Sequence, residues 1–277
     1  AGSLAMELIF EEEGDIATVQ VWAGRDHPER RWISVDGTSI GETQGFSSSI
    51  YGKQLLLAHL PMALDPEIRS TLNIGLGSAS TLHALASYPT VQKLDVVEIS
   101  GAVARGSRLF DESEVLSDPR VRLVVEDIAH YLLQETERYD LIISDGKLGN
   151  DFSGNAMMLC RDFYAYASRR LSGTGLFIQW IPLNHARDDF EIILRTFLES
   201  FPEVELFFED PGSVFLVGSR SPISGRRDPD TEEFVTERVK RDLEYLRIPR
   251  VNALLTRWAA SGAELRSVVG KGPIGTW

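Results

Sequence analysis

The sequence predicts a doubly wound α/β domain with a mostly parallel sheet, and three observations predict it. Between Ser70 and Arg220, apolar runs of strand length alternate with helical patterns. The runs are nearly unbroken in Val, Ile and Leu, which is typical of strands buried on both faces. The chain has 277 residues, of which 43% are hydrophobic, enough for one substantial core. Because parallel strands need crossover connections, we expect helices on both faces of the sheet.

The predicted elements of this domain follow one another in a regular order. Strands are predicted at Leu72–Gly75, Leu94–Glu98, Val121–Val125, Tyr139–Ile143 and Gly175–Trp180. Helices are predicted at Ser80–Tyr88, Gly101–Phe110, Ala129–Thr136, Asp162–Leu171 and Asp188–Phe201. Two further strands, Val204–Phe208 and Val214–Val217, have no helix between them, so we expect an antiparallel hairpin at the sheet edge.

The segment before this domain is predicted to form an antiparallel β meander. Short alternating runs, such as Ile16–Trp22 and Arg31–Val35, are separated by polar turns. A helix follows from Lys53 to Met62, and we expect Pro61 and Pro66 to end it. We therefore assign residues 1–66 to the meander and its connecting helix, and residues 67–220 to the α/β domain.

The last part of the chain, residues 221–277, is predicted to be a linker with a helical tail. The polar stretch Ser221–Pro229 contains Pro and Gly and forms the linker. Asp230, with Glu233 three positions later, is typical of a capping box that opens a charged helix. A second tail helix is predicted near Asn252–Ser261.

The charge balance excludes some classes of partner. Lys and Arg total 28 against 41 Asp and Glu, a net charge of −13. Nucleic acid and anionic membrane surfaces require a basic footprint, so neither is an expected partner. A small cationic substrate suits an acidic protein better.

Cysteine usage, apolar patterning and histidine spacing predict a cytoplasmic protein without a metal site. Cysteine occurs once, at Cys160, so an internal disulfide is excluded and a reducing compartment is expected. No apolar run approaches the ~18 residues that span a bilayer, so no transmembrane segment is predicted. The five histidines have no metal-ligand spacing, and no C-x-x-C occurs.

The first candidate site is the turn Gly75-Leu76-Gly77-Ser78-Ala79-Ser80, which follows the first strong strand and opens a helix. Glycines let the backbone approach a ligand closely, and the helix N-terminus offers unpaired N–H groups. Ser80 replaces the third glycine of the dinucleotide fingerprint, so the turn alone is a weak indication.

Three acidic residues follow at the ends of the next predicted strands. Glu98 lies about 20 residues beyond the turn, as expected for a ribose-binding carboxylate, and Asp127 and Asp145 end the two strands after it. Since parallel strands end at one edge, these features line the crevice where open α/β sheets bind ligands. Asp127 offers a polar group for an adenine amine, whereas a nicotinamide dinucleotide needs a pyrophosphate clamp. An adenosyl sulfonium therefore fits better than NAD.

At these residues the sequence resembles the spermidine synthase family of polyamine aminopropyltransferases. The resemblance covers about Glu7 to Arg220. It is clearest in Leu72–Ser100, Asp118–Asp127, Tyr139–Asp145 and Asp162–Tyr164. The stretches Phe177–Leu183 and Val214–Ser219 look most like the branch of the family that is fused to multi-pass transporter segments. The resemblance implies a Rossmann-like sheet of the S-adenosylmethionine-dependent methyltransferase type, and a homodimer.

The resemblance also implies which residues bind the donor nucleoside. By position in the motifs, they are Gln54, Gly75, Gly77, Ser78, Glu98 and Asp127. Glu98 would bind the ribose, Asp127 the adenine amine, and Gln54 the nucleoside from the N-terminal side. The co-substrate would be decarboxylated S-adenosylmethionine, and no permanently bound cofactor is expected.

Asp145 takes the catalytic position of the family. The implied reaction is attack by an amine on the carbon next to the sulfonium, with release of methylthioadenosine. A protonated amine cannot attack, so a carboxylate must accept its proton while orienting it. The acceptor would be a small amine such as putrescine.

Three positions depart from the family pattern. The Asp of the glycine turn, which usually holds the amine of the aminopropyl group, corresponds to Ser78. A second Asp, three residues after the catalytic one, corresponds to Leu148, beside the cationic Lys147. The Tyr usually found beside Gln54 corresponds to Lys53. We infer that the nucleoside half of the site is kept and the polyamine half is changed.

Three functions therefore stay open. The first, which we favour, is aminopropyl transfer to an amine. The second is another enzyme that uses S-adenosylmethionine, either a methyltransferase or one that cleaves or cyclises the donor's own chain. The third is a nucleoside-binding domain without catalysis. Trp180 and Asn184 follow a strand end and fit either an acceptor pocket or the core.

Overall fold

Two β-sheets organise the chain. The computed structural model describes residues 5–46, 50–145, 154–210, 212–223 and 235–276. The first sheet is an antiparallel meander of four strands in sequential order. Its strands are β1 (Met6–Glu13), β2 (Thr18–Gly24), β3 (Arg31–Val35) and β4 (Thr38–Glu42). The predicted N-terminal meander is therefore confirmed.

The second sheet has eight strands in the order β12-β10-β11-β9-β8-β5-β6-β7. These strands are β5 (Ser70–Ile74), β6 (Lys93–Glu98), β7 (Val121–Val125), β8 (Tyr139–Ser144), β9 (Leu171–Pro182), β10 (Glu203–Asp210), β11 (Ser213–Ser219) and β12 (Trp258–Ser261). β5 to β9 pair in parallel, and the last three strands pair antiparallel. The carboxyl ends of β7, β6, β5 and β8 thus lie side by side at one edge.

Helices cover both faces of this sheet, as the sequence predicts. They are α1 (Ile50–Leu64), α2 (Ser80–Ala86), α3 (Gly101–Gly106), α4 (Ile128–Gln134), α5 (Arg161–Arg169), α6 (Arg187–Ser200), α7 (Glu237–Tyr245) and α8 (Gly262–Val269). One core cluster contains α1, α2 and α7, and the other contains α4, α5, α6 and α8. A third, smaller cluster joins β2 and β3 to α3. Among the described residues, none of these helices has the length and apolarity needed to cross a membrane.

The prediction that Pro61 ends the first helix is wrong. α1 continues to Leu64, and the Asp65 N–H donates to the Pro61 carbonyl at 2.8 Å. Proline in a helix interior removes a hydrogen bond and costs about 3 kcal/mol. Nearly every side chain of α1 is buried, Leu55 and Leu57 completely. Burial of these side chains offsets the local cost, so tertiary packing overrides the breaker.

The prediction of a purely helical tail needs a correction. In place of a helix at Asn252–Ser261, a 3₁₀ segment at Val251–Arg257 leads into β12, where Ala260 pairs with Leu206 of β10. The predicted hairpin of β10 and β11 is confirmed, but β12 covers its outer strand. An uncovered strand would present unpaired N–H and C=O groups, which β12 satisfies.

The start of the tail is only partly described. Asp230 and Glu233, the predicted capping pair, lie outside the described residues. α7 begins at Glu237 behind the N-cap Thr236, whose side chain accepts from the Val239 N–H. Apolar side chains of α7 share the core cluster of α1, so the tail packs into the protein. The predicted domain boundaries at residues 66 and 220 stay predictions.

An aromatic cluster joins α5, α6 and β9 on one face of the sheet. Phe177 of β9 stacks on Phe201 with ring centroids 5.3 Å apart, and Tyr164 packs edge-on against Phe197 at 5.2 Å. Gly218 of β11 pairs with Phe177 in the sheet. A Cβ on Gly218 would lie 2.5 Å from Cγ of Phe201, so only glycine fits beneath that ring.

We expect Gly218→Ala to lower the free energy of unfolding by roughly 1–3 kcal/mol, because the added methyl overpacks a fully buried ring. Gly173→Ala is the matched control, since a Cβ there meets nothing within 4 Å. It should change stability by less than about 0.5 kcal/mol. Urea unfolding followed by tryptophan fluorescence measures both. Equal effects of the two substitutions would contradict the packing argument.

Candidate active site

The glycine turn between β5 and α2 is built on close backbone contact with the meander. Gly75 and Gly77 have φ values of +91° and +56°, a region that L side chains rarely adopt. A Cβ on Gly77 would lie 2.9 Å from the Ile40 carbonyl oxygen of β4. A Cβ on Gly41 would lie 2.7 Å from the Ser78 nitrogen. Glycine is therefore needed on both sides of this contact.

Hydrogen bonds of the Gln54 side chain connect Ser78 of the turn to α1 and β4. Ser78 Oγ donates to Gln54 Oε1 at 3.2 Å, and Gln54 Nε2 donates to the Ile40 carbonyl at 3.3 Å. Thr81 Oγ1 donates to the Gln54 carbonyl at 3.1 Å. Gln54 is 2% exposed and Ser78 is fully buried. Both side chains thus position the turn, and their direct contact with a ligand stays a prediction.

Glu98 joins the end of β6 to the same turn. Its Oε2 accepts from the Leu76 N–H and its Oε1 accepts from the Ser100 N–H, each at 2.9 Å. Burial raises the pKa of Glu98 above its usual range, although these N–H groups act in the opposite direction. A carboxylate has about four lone-pair sites, so after its contacts with the N–H groups of Leu76, Ser100 and Ile99 it can still accept a further hydrogen bond. The carboxylate is fixed in place and still able to accept.

Asp127 lies at the end of β7 as the N-cap of α4. Its Oδ1 accepts from the N–H groups of Ala129 at 2.8 Å and His130 at 3.1 Å. Oδ2 has no partner in the described part of the chain, and the residue is exposed. The capping bonds fix the carboxylate direction and leave one oxygen open to a donor.

Asp145 follows β8 and is paired with a lysine from α1. Lys53 Nζ lies 2.5 Å from Asp145 Oδ1, and the two side chains are 3% and 13% exposed. The same ammonium lies 4.4 Å from the centroid of the Trp180 ring. Trp180 Nε1 donates to Glu209 Oε2 at 2.8 Å, which fixes the ring. The predicted catalytic carboxylate is thus already neutralised by a buried cation.

Unpartnered polar atoms lie at the ends of the neighbouring strands. Gln179 Nε2 donates to the carbonyls of Ser144 at 3.3 Å and Trp180 at 3.1 Å. Gln179 Oε1, Ser144 Oγ and Asn73 Oδ1 are buried without a hydrogen-bond partner among the described residues. Unsatisfied buried polar atoms are rare in folded proteins, so these three leave hydrogen-bonding capacity for water or a bound molecule at this edge of the sheet.

Most sequence-predicted site residues meet at one edge of the sheet. Parallel pairing puts the glycine turn, Glu98, Asp127 and Asp145 at adjacent strand ends. Lys147 and Leu148 lie outside the described residues. The described part of the chain has no cluster of His, Cys, Asp or Glu that could hold a metal ion.

Sequence reasoning missed three features of the site. The Lys53–Asp145 pair joins residues 92 positions apart, and no local pattern indicates it. Ile99, directly after Glu98, is an apolar side chain that is 50% exposed. Gln179 was singled out only as part of a family-like stretch. The local signal for Gln179 is its position as an amide inside the otherwise apolar strand β9.

The sheet order and the turn at its edge define a class, the methyltransferase-like Rossmann proteins. Within that class, the model of the spermine/spermidine synthase domain matches residues 51–208, more than half of the chain. The protein therefore belongs to the spermine/spermidine synthase family, as the sequence motifs predict. Its resemblance to the transporter-fused branch stays a prediction.

Similar proteins agree with this membership. A polyamine aminopropyltransferase of Clostridium perfringens (strain SM101 / Type A) is 33% identical over 125 residues, 44% of this chain and 44% of the relative. The chain thus spans about half the length of the curated relatives it matches. The crystal structure of spermidine synthase from Thermotoga maritima covers 95% of this chain and 87% of its own, with a TM-score of 0.71 and 20% identity. A spermidine synthase in complex with the transition state analogue AdoDATO has a TM-score of 0.70, 20% identity and the same coverage. These structures establish the fold.

We expect the Lys53–Asp145 pair to produce an asymmetric double-mutant cycle. Asp145→Asn should lower the free energy of unfolding by roughly 2–4 kcal/mol, because it leaves the buried ammonium unpaired. Lys53→Met should cost less, since the Asp145 carboxylate keeps more hydration. The double variant Lys53→Met/Asp145→Asn should recover part of the loss. Denaturant unfolding of the four proteins measures the coupling energy, and strict additivity would contradict the pairing.

Proposed function

We propose that the protein transfers a 3-aminopropyl group from decarboxylated S-adenosylmethionine to a small amine and releases methylthioadenosine. The observation that carries the proposal is the combination at one sheet edge of a backbone-packed glycine turn, a fixed Glu98 and the Asp145 carboxylate. Family membership and the aminopropyltransferase relatives support the same chemistry.

The nucleoside half of the proposed site needs acceptors at two positions. The remaining acceptor capacity of the Glu98 carboxylate is suited to the ribose hydroxyls, and the open Oδ2 of Asp127 is suited to the adenine amine. Ile99 offers an exposed apolar surface to a flat base. A Cβ on Gly75 would meet nothing within 4 Å, so the missing side chain there leaves room for the donor to approach the turn closely.

The proposed chemical step is a displacement at carbon. The nitrogen lone pair of the neutral acceptor amine attacks the carbon next to the sulfonium, and the carbon–sulfur bond breaks with its electrons going to sulfur. The proton that the acceptor nitrogen loses passes to Asp145. Oδ1 of Asp145 is held by Lys53, so Oδ2 is the oxygen proposed to accept it. Alignment of nucleophile and leaving group supplies much of the rate enhancement.

One observation favours a second candidate, an enzyme that uses S-adenosylmethionine with its carboxylate intact. The turn carries no acidic side chain to hold the donor's amine, because Ser78 is buried against Gln54. The turn therefore gives no reason for preferring the decarboxylated donor.

We also propose a cytoplasmic homodimer. The single cysteine fits a reducing compartment. The meander exposes Leu8 and Ile9 on β1, a strand with one free edge in the described sheet, and this face is the proposed contact between copies.

The deciding experiment is mass spectrometry of products from the full chain. Each donor, S-adenosylmethionine or its decarboxylated form, is incubated with and without a panel of amines. Methylthioadenosine that forms only with the decarboxylated donor and an amine supports the proposal. Methylthioadenosine or adenosylhomocysteine from the intact donor supports the second candidate. Nucleoside binding without turnover on either donor contradicts both.

We expect Asp145→Asn to reduce turnover at least about 10²-fold while methylthioadenosine affinity stays within about threefold, because general-base catalysis contributes ~10²–10⁴ in rate. Asp26→Asn, an exposed acid in the turn after β2, is the control and should keep full activity. Assays are run well below the melting temperature of each variant. A parallel loss of binding and turnover would show that Asp145 is not a base.

We expect Glu98→Ala to weaken methylthioadenosine binding roughly ten- to a hundredfold, since hydrogen bonds to a charged group contribute about 1.5–3 kcal/mol. Because burial raises the pKa of Glu98, wild-type affinity should fall as the pH is lowered through that raised value. Protonation removes acceptor capacity, so the ionised form binds better. Titration calorimetry between pH 5 and 8 measures both effects, with exposed Glu114→Ala as the control. A pH response unchanged in Glu98→Ala would refute the ribose assignment.

A further inference from the structure

The Lys53 ammonium is a charged group beside Asp145 for which the proposed reaction has no use. It lies 2.5 Å from Asp145 Oδ1 and 4.4 Å from the Trp180 ring centroid, and its side chain is 3% exposed. A carboxylate and an aromatic face together form a typical binding site for an ammonium ion. Lys53 thus makes, from inside the protein, the contacts that a substrate ammonium would need.

A cation attached to the protein competes strongly with a cation in solution. Attachment alone gives a group an effective concentration on the order of millimolar or higher. Lys53 and its neighbours on α1 are buried, which restricts the Lys53 side chain and further favours it over a free cation. A free ammonium ion can occupy the position beside Asp145 Oδ1 only if it displaces Lys53. If Lys53 stays in place, the free ion lies beside the Lys53 ammonium and is repelled by it.

The Asp145 carboxylate can accept a hydrogen bond from one further donor. Among the described residues, Lys53 is the only partner of the carboxylate, and it contacts Oδ1. Oδ2 can therefore accept from the reacting amine. Oε2 of the nearby Glu209 is already used, because it accepts from Trp180 Nε1 and from Ser213 Oγ.

We propose that Lys53 is a specificity-determining residue that fills the second-cation position of the acceptor pocket, so that the acceptor is an amine with a single positive charge. The proposal rests on the proposed aminopropyl transfer and specifies its acceptor class. Diamines and longer polyamines are disfavoured because their second ammonium meets Lys53. The rest of the accepted molecule is uncharged.

Two amines of the same length test this proposal. n-Butylamine and 1,4-diaminobutane differ only in the second amino group. Binding of each to the full chain saturated with methylthioadenosine is measured by titration calorimetry, for wild type and Lys53→Met. We expect wild type to bind n-butylamine at least about tenfold more tightly than the diamine, from the strength of one unfavourable charge contact. Lys53→Met should reverse this preference by gaining diamine affinity.

Two further variants keep the test decisive. Lys53→Arg retains the charge and should retain the preference for the monoamine. Lys53→Gln replaces Lys53→Met if the latter does not give a cooperative thermal transition. Wild type that binds the diamine more tightly, or a Lys53→Met variant that loses both amines equally, overturns the proposal.

Initial rates with decarboxylated S-adenosylmethionine separate this proposal from the proposed function. Faster turnover of the monoamine than of the diamine supports both. Faster turnover of the diamine by wild type overturns the acceptor class and leaves aminopropyl transfer in place. Methylthioadenosine binding without binding or turnover of any amine contradicts both the acceptor class and aminopropyl transfer.

Discussion

The contact between β4 and the glycine turn is the constraint on which the rest of the site depends. Gly41 and Gly77 bring two backbones so close that a Cβ on either would overlap its neighbour. Gln54 then bonds both partners of that contact, the Ile40 carbonyl and Ser78. The meander, α1 and the parallel sheet are therefore fixed relative to one another at the ligand edge. This explains why an N-terminal sheet outside the α/β domain contributes to its site.

The same fixation determines where charge lies. Because Lys53 precedes Gln54 on α1, anchoring Gln54 beneath the turn also directs Lys53 to the end of β8, where it meets Asp145. A buried ion pair adds little net stability, since desolvation offsets most of the attraction. The Lys53–Asp145 pair instead positions the site, because it fixes the Asp145 carboxylate and leaves one of its oxygens free to accept a hydrogen bond.

The sequence predicted what depends on local pattern and sheet geometry. Apolar runs located β5 to β9, and their parallel order put Glu98, Asp127 and Asp145 at one edge. Features that depend on distant partners were not predictable. The course of α1 through Pro61 depends on burial by other elements, β12 depends on the open edge of β10, and Lys53 meets a residue 92 positions away.

The two halves of the site differ in how their polar groups are satisfied. On the nucleoside side, Glu98 and Asp127 are held by backbone N–H groups, which fix direction without cancelling the charge, so both remain acceptors. On the amine side, Asp145 is held by a full positive charge, which fixes direction and also cancels the field that would attract a polycation. In the proposed function, fixed acceptors recognise the adenosyl group, and the absence of excess charge selects the second substrate. The net charge of −13 favours encounter with cations in general, and the proposed choice among them depends on Lys53.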